Sequence, residues 1–418
     1  MESGSTNFAT ERVPPAPSPA DRSRRLDVFV LIDALGWKFL EGQEFLSDLL
    51  PYRQPLRTVL GFSSGAIPTM LTGLSPAENG HWNLFYYDPE GSPFRWLRYF
   101  HFLPDRLLNH RVARKLLKEM GRHVLGMGQN FECCVSPRFL PWFNFIERRD
   151  IYSPGGIAEA KSVFDLLLEK GIPHRVYTYH HWSDEEILRR ALHDVEETDA
   201  RFFFVYLCEM DMLLHEQWRN SQPLEQRLKW YAGRLRQLFQ VARDADPSAT
   251  FTIASDHGMT PVHGHYDLVR DVAALSLKMP EDYLAVYDST MARFWFFTER
   301  GRQAIVDLLG GLSCGRILTD EELRQLGIFF PDRRYGETIF LLDPGLLLSH
   351  SDFNGPGWMP AGMHGYHPDD PYSDAVFLSS HKPLLPLRSI ADVYSCMQRV
   401  LEKQTLESGD DAHLAGAG

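Results

Sequence analysis

Asp211 and His215 stand four apart in Asp-Met-Leu-Leu-His. That spacing puts two side chains on one face of a helical turn, where a carboxylate and an imidazole can grip one cation. Asp256 and His257 are adjacent in Ser-Asp-His-Gly-Met, and His364 is flanked by Gly362 and Gly365. Glycine there permits close backbone approach. With Asp33, the set is three aspartates and three histidines, mixed donors that suit zinc most naturally and manganese as the alternative. Each has an ordinary reading when taken alone: a strand-end aspartate caps a turn, and Asp-x-x-x-His is an exposed helix pair. Their joint occurrence after apolar runs is what argues for a site.

Residues 57–82 hold a second chemical feature, adjacent Ser63 and Ser64 between an apolar run and a small-residue helix pattern. A helix N-terminus aims unbonded N–H groups at an anion. Either hydroxyl can therefore act as a nucleophile, and either can simply cap the helix. Pro68 is tolerated only in a first turn. The spacing thus predicts a helix that starts near Ser64 or beyond, with Ser63 in the lead-in turn.

Such groups need a scaffold. The run 28–32 ends in Asp33, Phe202 begins a run towards Asp211, and Phe251 begins a run into Asp256 and His257. Buried parallel strands read this way, and acids at their carboxyl ends point to one site on the edge of an open α/β sheet. Helical patterns lie between, including one stopped by Gly171 and one over 224–244. Two stretches break the alternation. Residues 90–150 are crowded with aromatics and bases, which reads as a cap, and 275–335 reads as a small α+β insertion. The expected organisation is a catalytic body over 26–405 between disordered segments at 1–25 and 406–418. No internal repeat is visible.

The net charge of −12, from 43 basic and 55 acidic residues, gives no signal for nucleic acid binding. Residues 1–25 lack the apolar core of a signal peptide. No run approaches the roughly 20 apolar residues of a membrane span. Five cysteines without paired spacing fit reduced thiols in a cytoplasmic protein. Cys208 reads as packing, and adjacent Cys133 and Cys134 do not read as a metal site. Oligomeric state leaves no mark in the sequence.

The ordered segments resemble the alkaline phosphatase superfamily, within it the type I phosphodiesterase/nucleotide pyrophosphatase branch. The resemblance rests on the strand ending at Asp33, Leu-Thr-Gly-Leu-Ser-Pro-Ala-Glu-Asn-Gly followed by Tyr87-Asp88-Pro89, the Asp211/His215 pair, Ser-Asp-His-Gly-Met and Gly-Met-His-Gly-Tyr. It implies an alkaline-phosphatase-like core with a mainly parallel central sheet flanked by helices. It also implies two divalent ions, one on Asp211, His215 and His364, the other on Asp33, Asp256, His257 and the nucleophile oxygen. The implied reaction is hydrolysis of a small phosphoester, nucleotide-linked or carrying a lipid or sugar headgroup, through a phosphoryl- or nucleotidyl-enzyme intermediate.

In that family the nucleophile lies nine residues before the Thr of a Thr-Gly pair, which from Thr72 is Ser63. Ser64 stays the alternative on local grounds. The family's Phe-Pro-Asn after the nucleophile is Ser-Gly-Ala here. Its phosphate-contacting asparagine falls on Leu84, with Asn83 one position earlier, and the glycine before the metal histidine is Leu214. These departures concern substrate recognition. Arg95, with Trp96, Arg98 and Tyr99, offers a cationic grip on an anionic substrate, against the plainer reading of a solvated basic face. His263 and His265 could line the mouth of the site or be loop residues. A phosphomonoesterase or phosphoryl transferase would use the same metals, and a metal-stabilised binding protein is the non-enzymatic alternative. The sulfatase motif is missing, since Ile67 stands where its arginine would fall.

Overall fold

The computed structural model describes residues 25–123, 125, 134–146, 148–352 and 358–415. The expected disordered segment 1–25 therefore lies outside the described residues apart from Arg25, as does Cys133. A six-stranded sheet organises the chain, in the spatial order Tyr52–Leu56, Ala375–Ser379, Thr250–Ala254, Asp27–Ile32, Phe202–Leu207, His174–Tyr177. Its four-strand core from Thr250–Ala254 to His174–Tyr177 pairs in parallel. Ala375–Ser379 runs antiparallel to both neighbours, so the sheet is mixed but mostly parallel.

The central strands are apolar on both faces because both faces are covered. Val28, Val30 and Ile32 pack with Phe203, Val205 and Leu207 beneath helices Asp184–Glu197 and Ser221–Ala245. Phe29 and Leu31 point the other way, with Phe202, Phe204 and Tyr206. On that side lie helices Ser63–Thr72, Val163–Glu169 and Asp392–Ala415. Period-two alternation along each strand thus builds two cores from one sheet. The last helix continues through most of the segment expected to be a disordered tail. Its buried Leu401 and Gln404 hold it down, Gln404 through the Asp27 side chain and the Arg201 carbonyl.

A second sheet is antiparallel, in the order Tyr283–Asp288, Met291–Phe296, Thr338–Leu342, Gly315–Ile317, with helices Glu299–Gly310 and Asp320–Gln325. It extends beyond the expected insertion boundary of 335, because the apolar strand Thr338–Leu342 pairs with Met291–Phe296. The aromatic stretch forms the short helices Arg95–Phe100 and Asp105–Leu108, the longer helix Arg111–His123, and a strand pair Phe85–Tyr87 with Phe143–Phe145. Phe85, Phe94 and Phe143 pack on Leu284, Val286 and Trp295 of the second sheet. Among the described residues, no helix is long and apolar enough to cross a membrane.

Arg293 ties these parts together. It is fully buried, its Nε donates to Asp288 Oδ2 at 2.6 Å, and a terminal nitrogen donates to the Phe85 carbonyl at 2.8 Å. A buried guanidinium is tolerated only when its charge and donors are met. Arg293→Met should therefore strand Asp288 and cost about 3–5 kcal/mol. Asp288→Leu added to it should recover much of that loss, as read by urea unfolding. A single variant as stable as the parent would refute this account of the pair.

Candidate metal-binding active site

Parallel register decides where the strands end together. Ile32 faces Leu207 and Leu31 faces Ala254, so three neighbouring strands release their chains at one edge. Asp33 follows the first strand, its N–H bonded to the Leu207 carbonyl at 2.9 Å. Asp256 is in the turn after Thr250–Ala254, its Oδ1 accepting from the amides of Ala34 at 3.3 Å and His257 at 3.0 Å. Strand Phe202–Leu207 passes into helix Glu209–Gln217, which carries Asp211 and His215. His364 comes from far along the chain. The Asp256-His257 turn runs on into Thr260–Pro261, which pairs antiparallel with Gly362–Met363 and so delivers it.

The six side chains meet. His257 Nε2 is 3.2 Å from Asp256 Oδ2, 3.6 Å from Asp33 Oδ1 and 3.0 Å from Ser63 Oγ. Its Nδ1 is 2.9 Å from the Gly258 carbonyl. A carbonyl only accepts, so Nδ1 carries the proton and Nε2 turns its lone pair into the cluster. His215 is set the same way by the Gly362 carbonyl, 2.8 Å from Nδ1. Asp211 Oδ1 lies 3.4 Å from His215 Nε2 and 3.7 Å from His364 Nε2. Two groups have ligand atoms within 4.8 Å of one another: Asp211, His215 and His364, and Asp33, Asp211 and His257. Asp211 thus stands between the two, while Asp256 closes on the second through His257.

These donors fit divalent ions. Among the described residues, Asp33 Oδ1, Asp211 Oδ1 and Asp256 Oδ2 are buried without a hydrogen-bond partner, as is His364 Nδ1. Orphaned buried carboxylate oxygens are costly, and a cation among them removes the cost. Burial, then the charges of Asp256 and Asp211, holds the Asp33 carboxyl well above its ordinary range. Burial, then His257 and His215, pushes His364 well below the usual imidazole value. Tyr206 donates to Asp33 Oδ2, which leaves Oδ1 facing the cluster.

The two serines separate. Ser63 Oγ faces His257, while Ser64 Oγ donates to the Trp82 carbonyl at 2.8 Å. Contrary to the later start predicted from Pro68, the helix begins at Ser63 with Pro68 inside it. Everything from Gly65 to Thr72 is buried, so tertiary packing outweighs the local penalty. Gly65 permits this close approach, since a Cβ there would stand 3.0 Å from the Trp82 carbonyl oxygen. The first amides of such a helix lack intrahelical acceptors and present N–H groups to an anion.

Of the substrate candidates, Asn83 is buried beside the same turn, its amide 3.5 Å from Asp288 Oδ2 and its Oδ1 without a partner among the described residues. Arg95 is exposed and donates to the Glu90 carbonyl at 3.4 Å. His265 is exposed on strand Gly264–Tyr266, which pairs with Leu346–Leu348. Among the described residues, no hydrogen bond or ion pair joins either of them to the cluster.

Sequence reasoning missed the residues that aim the ligands. The Asp184 carboxylate accepts from the amides of Cys208 at 3.0 Å and Glu209 at 3.1 Å, while Glu209 Oε1 accepts from the Asp184 amide at 3.1 Å. This reciprocal clasp of two helix starts fixes the helix that bears Asp211 and His215. Glu209 beside Asp211 was its only sequence signal. Tyr206 was concealed inside an aromatic strand run.

A family model described as type I phosphodiesterase / nucleotide pyrophosphatase matches residues 28–366. No curated protein sequence matches the chain. Among solved structures, human ectonucleotide pyrophosphatase / phosphodiesterase 5 is similar at TM-score 0.65 and 14% identity, over 90% of this chain and 95% of that one. The murine protein of the same name is similar at TM-score 0.63 and 16% identity, over the same shares. A further structure, with the same values, is the inactive murine protein in complex with AMP. At these identities the likeness speaks for the fold.

The raised Asp33 pKa carries a sign that can be tested. In metal-free protein Asp33 keeps its proton above the ordinary carboxylate range, so an entering ion must displace it. His364, already neutral, offers no such competition. Metal affinity should rise with pH until Asp33 ionises, by about tenfold per unit for each proton displaced. Titration calorimetry of metal-depleted protein with manganese at about pH 8 and about pH 5.5 checks this, and Asp33→Asn should flatten the dependence. An affinity equal at both values would contradict it.

Proposed function

Because the chain belongs to the type I phosphodiesterase/nucleotide pyrophosphatase family, we propose that this phosphoester hydrolase cleaves nucleotide-linked phosphodiesters or pyrophosphates, with Ser63 as nucleophile and two divalent ions, zinc by preference. The observation that carries the reading is the set of buried carboxylate oxygens, without hydrogen-bond partners among the described residues, gathered with the His257 ring that Ser63 Oγ faces. One ion would be held by Asp211, His215 and His364, the other by Asp33, Asp256 and His257. Such ions supply Lewis acidity, lowering the pKa of a hydroxyl and offsetting phosphoryl charge.

The chain's own residues do the rest. Ser63 Oγ gives up its proton and bonds to phosphorus as the bond to the leaving oxygen breaks, placing the phosphoryl or nucleotidyl group on Ser63. Water then attacks phosphorus and restores the hydroxyl. The positive end of helix Ser63–Thr72 favours the phosphoryl charge. Tyr206 and the Gly258 and Gly362 carbonyls keep Asp33, His257 and His215 aimed. The AMP complex of the murine relative supports a nucleotide moiety in the substrate.

Ser63→Ala should lower turnover of bis-p-nitrophenyl phosphate by at least about a thousandfold while bound metal, read by elemental analysis, persists. Ser64→Ala, whose hydroxyl is already committed to Trp82, should stay within about threefold. Retained activity in the first variant would move the role to Ser64. A chelator should abolish turnover and added zinc or manganese restore it. Faster hydrolysis of p-nitrophenyl phosphate than of the diester or a nucleotide sugar would instead make the protein a monoesterase.

A further inference from the structure

The cap does something the hydrolytic site does not require. Residues 95–122 carry eight bases against Asp105 and Glu119, on a chain whose net charge is −12. The same stretch turns large apolar side chains to water: Tyr99 is 79% exposed, Phe102 70%, Leu107 57%, Val112 59% and Leu116 65%. Apolar residues scattered singly over a surface need no explanation. Here they fall together in one short segment among cations.

Helix Arg111–His123 makes the arrangement legible. Leu117 and Met120 pack inward against the cluster of Phe94, Phe143 and Trp295. Val112 and Leu116, one turn apart, face outward, beside exposed Arg111 and Lys115. The core thus uses one apolar face and leaves a second, bordered by bases, that a merely solvated helix would fill with polar residues. The preceding aromatic loop is held in place rather than free. Arg138 donates to the carbonyls of His101 at 3.0 Å and Leu103 at 2.9 Å, and Arg98 to that of Pro89 at 3.0 Å.

Charge and polarity together select the partner. Bases alone would suit any polyanion, but exposed Phe, Leu and Val gain nothing from a phosphate backbone in water. A symmetric contact with a second copy would set this basic segment against itself. An anionic bilayer supplies phosphate at the level of the Arg and Lys heads and an acyl boundary for the rings and aliphatic tips. We infer that the surface formed by residues 99–116 is a peripheral docking site for an anionic lipid membrane, separate from the metal cluster and independent of the identity of the substrate.

Full-length protein should co-sediment with vesicles of mixed phosphatidylcholine and phosphatidylglycerol, poorly with phosphatidylcholine alone, and less in high salt. Two variants dissect the surface: the triple exchange Arg106→Ser, Arg111→Ser, Lys115→Ser, and the pair Phe102→Ser, Leu116→Ser. Each should lower vesicle partition at least about tenfold while hydrolysis of a soluble diester stays within about twofold, which shows that both fold. Parent protein left in the supernatant with anionic vesicles would overturn the inference. So would variants that bind as tightly as the parent. A dimer seen by sedimentation that both variants lose, without any vesicle binding by the parent, would assign the surface to a second copy and overturn it equally.

Discussion

Mutual repulsion among Asp33, Asp211 and Asp256 is the constraint around which the rest of the molecule is arranged. Burial removes the water that would screen these like charges from one another. Asp33 is raised first by burial and then by the other two carboxylates, while His364 is depressed by burial and then by the two neighbouring histidines. A folded chain holds such groups together only when surrounding structure over-determines their positions. Three parallel strands in register, a clasp between two helix starts and a short antiparallel pair do so here. Divalent cations would turn the same geometry from a liability into a binding site.

The turn that carries Ser63 obeys a comparable economy of constraints. Helix Ser63–Thr72 contains Pro68, which supplies no amide to the helix ladder. The helix persists because nearly all of it is inside the protein, and Thr72 Oγ1 donates to the Pro68 carbonyl at 2.7 Å. Trp82 is central to this arrangement. Its carbonyl takes up Ser64, its indole donates to the Leu60 carbonyl, and its ring borders the buried Arg293. The turn that presents Ser63 is thereby coupled to the second sheet, and through Phe85 and Trp295 to the cap.

Division of labour follows from that layout. The parallel sheet sets the candidate metal ligands, the antiparallel sheet braces the wall that carries Asn83, and the aromatic and basic segment adds an outer surface of its own chemistry. Arg95 and His265, chosen for their charge and ring chemistry, sit on exposed elements, with no hydrogen bond or ion pair to the cluster among the described residues. Asn83, chosen for a family role one position removed, sits beside the turn that carries Ser63, with its amide directed at Asp288.

What the sequence by itself determined was local and repetitive. Apolar runs ending in acids predicted the strands, the four-residue spacing of Asp211 and His215 predicted a shared helical face, and the ordered motifs led to the family. Each signal resides within a few residues of the group it concerns. Tertiary structure alone decided the rest. The choice between Ser63 and Ser64 as neighbour of His257 depends on Trp82 and on a histidine some two hundred positions away. The free oxygen of Asp33 depends on Tyr206, and the aim of Asp211 depends on Asp184. The true start of the helix depends on packing that outweighs Pro68. Short-range pattern records which face of an element is apolar, but side-chain direction at a site is set by hydrogen bonds between segments that meet only when the chain has folded.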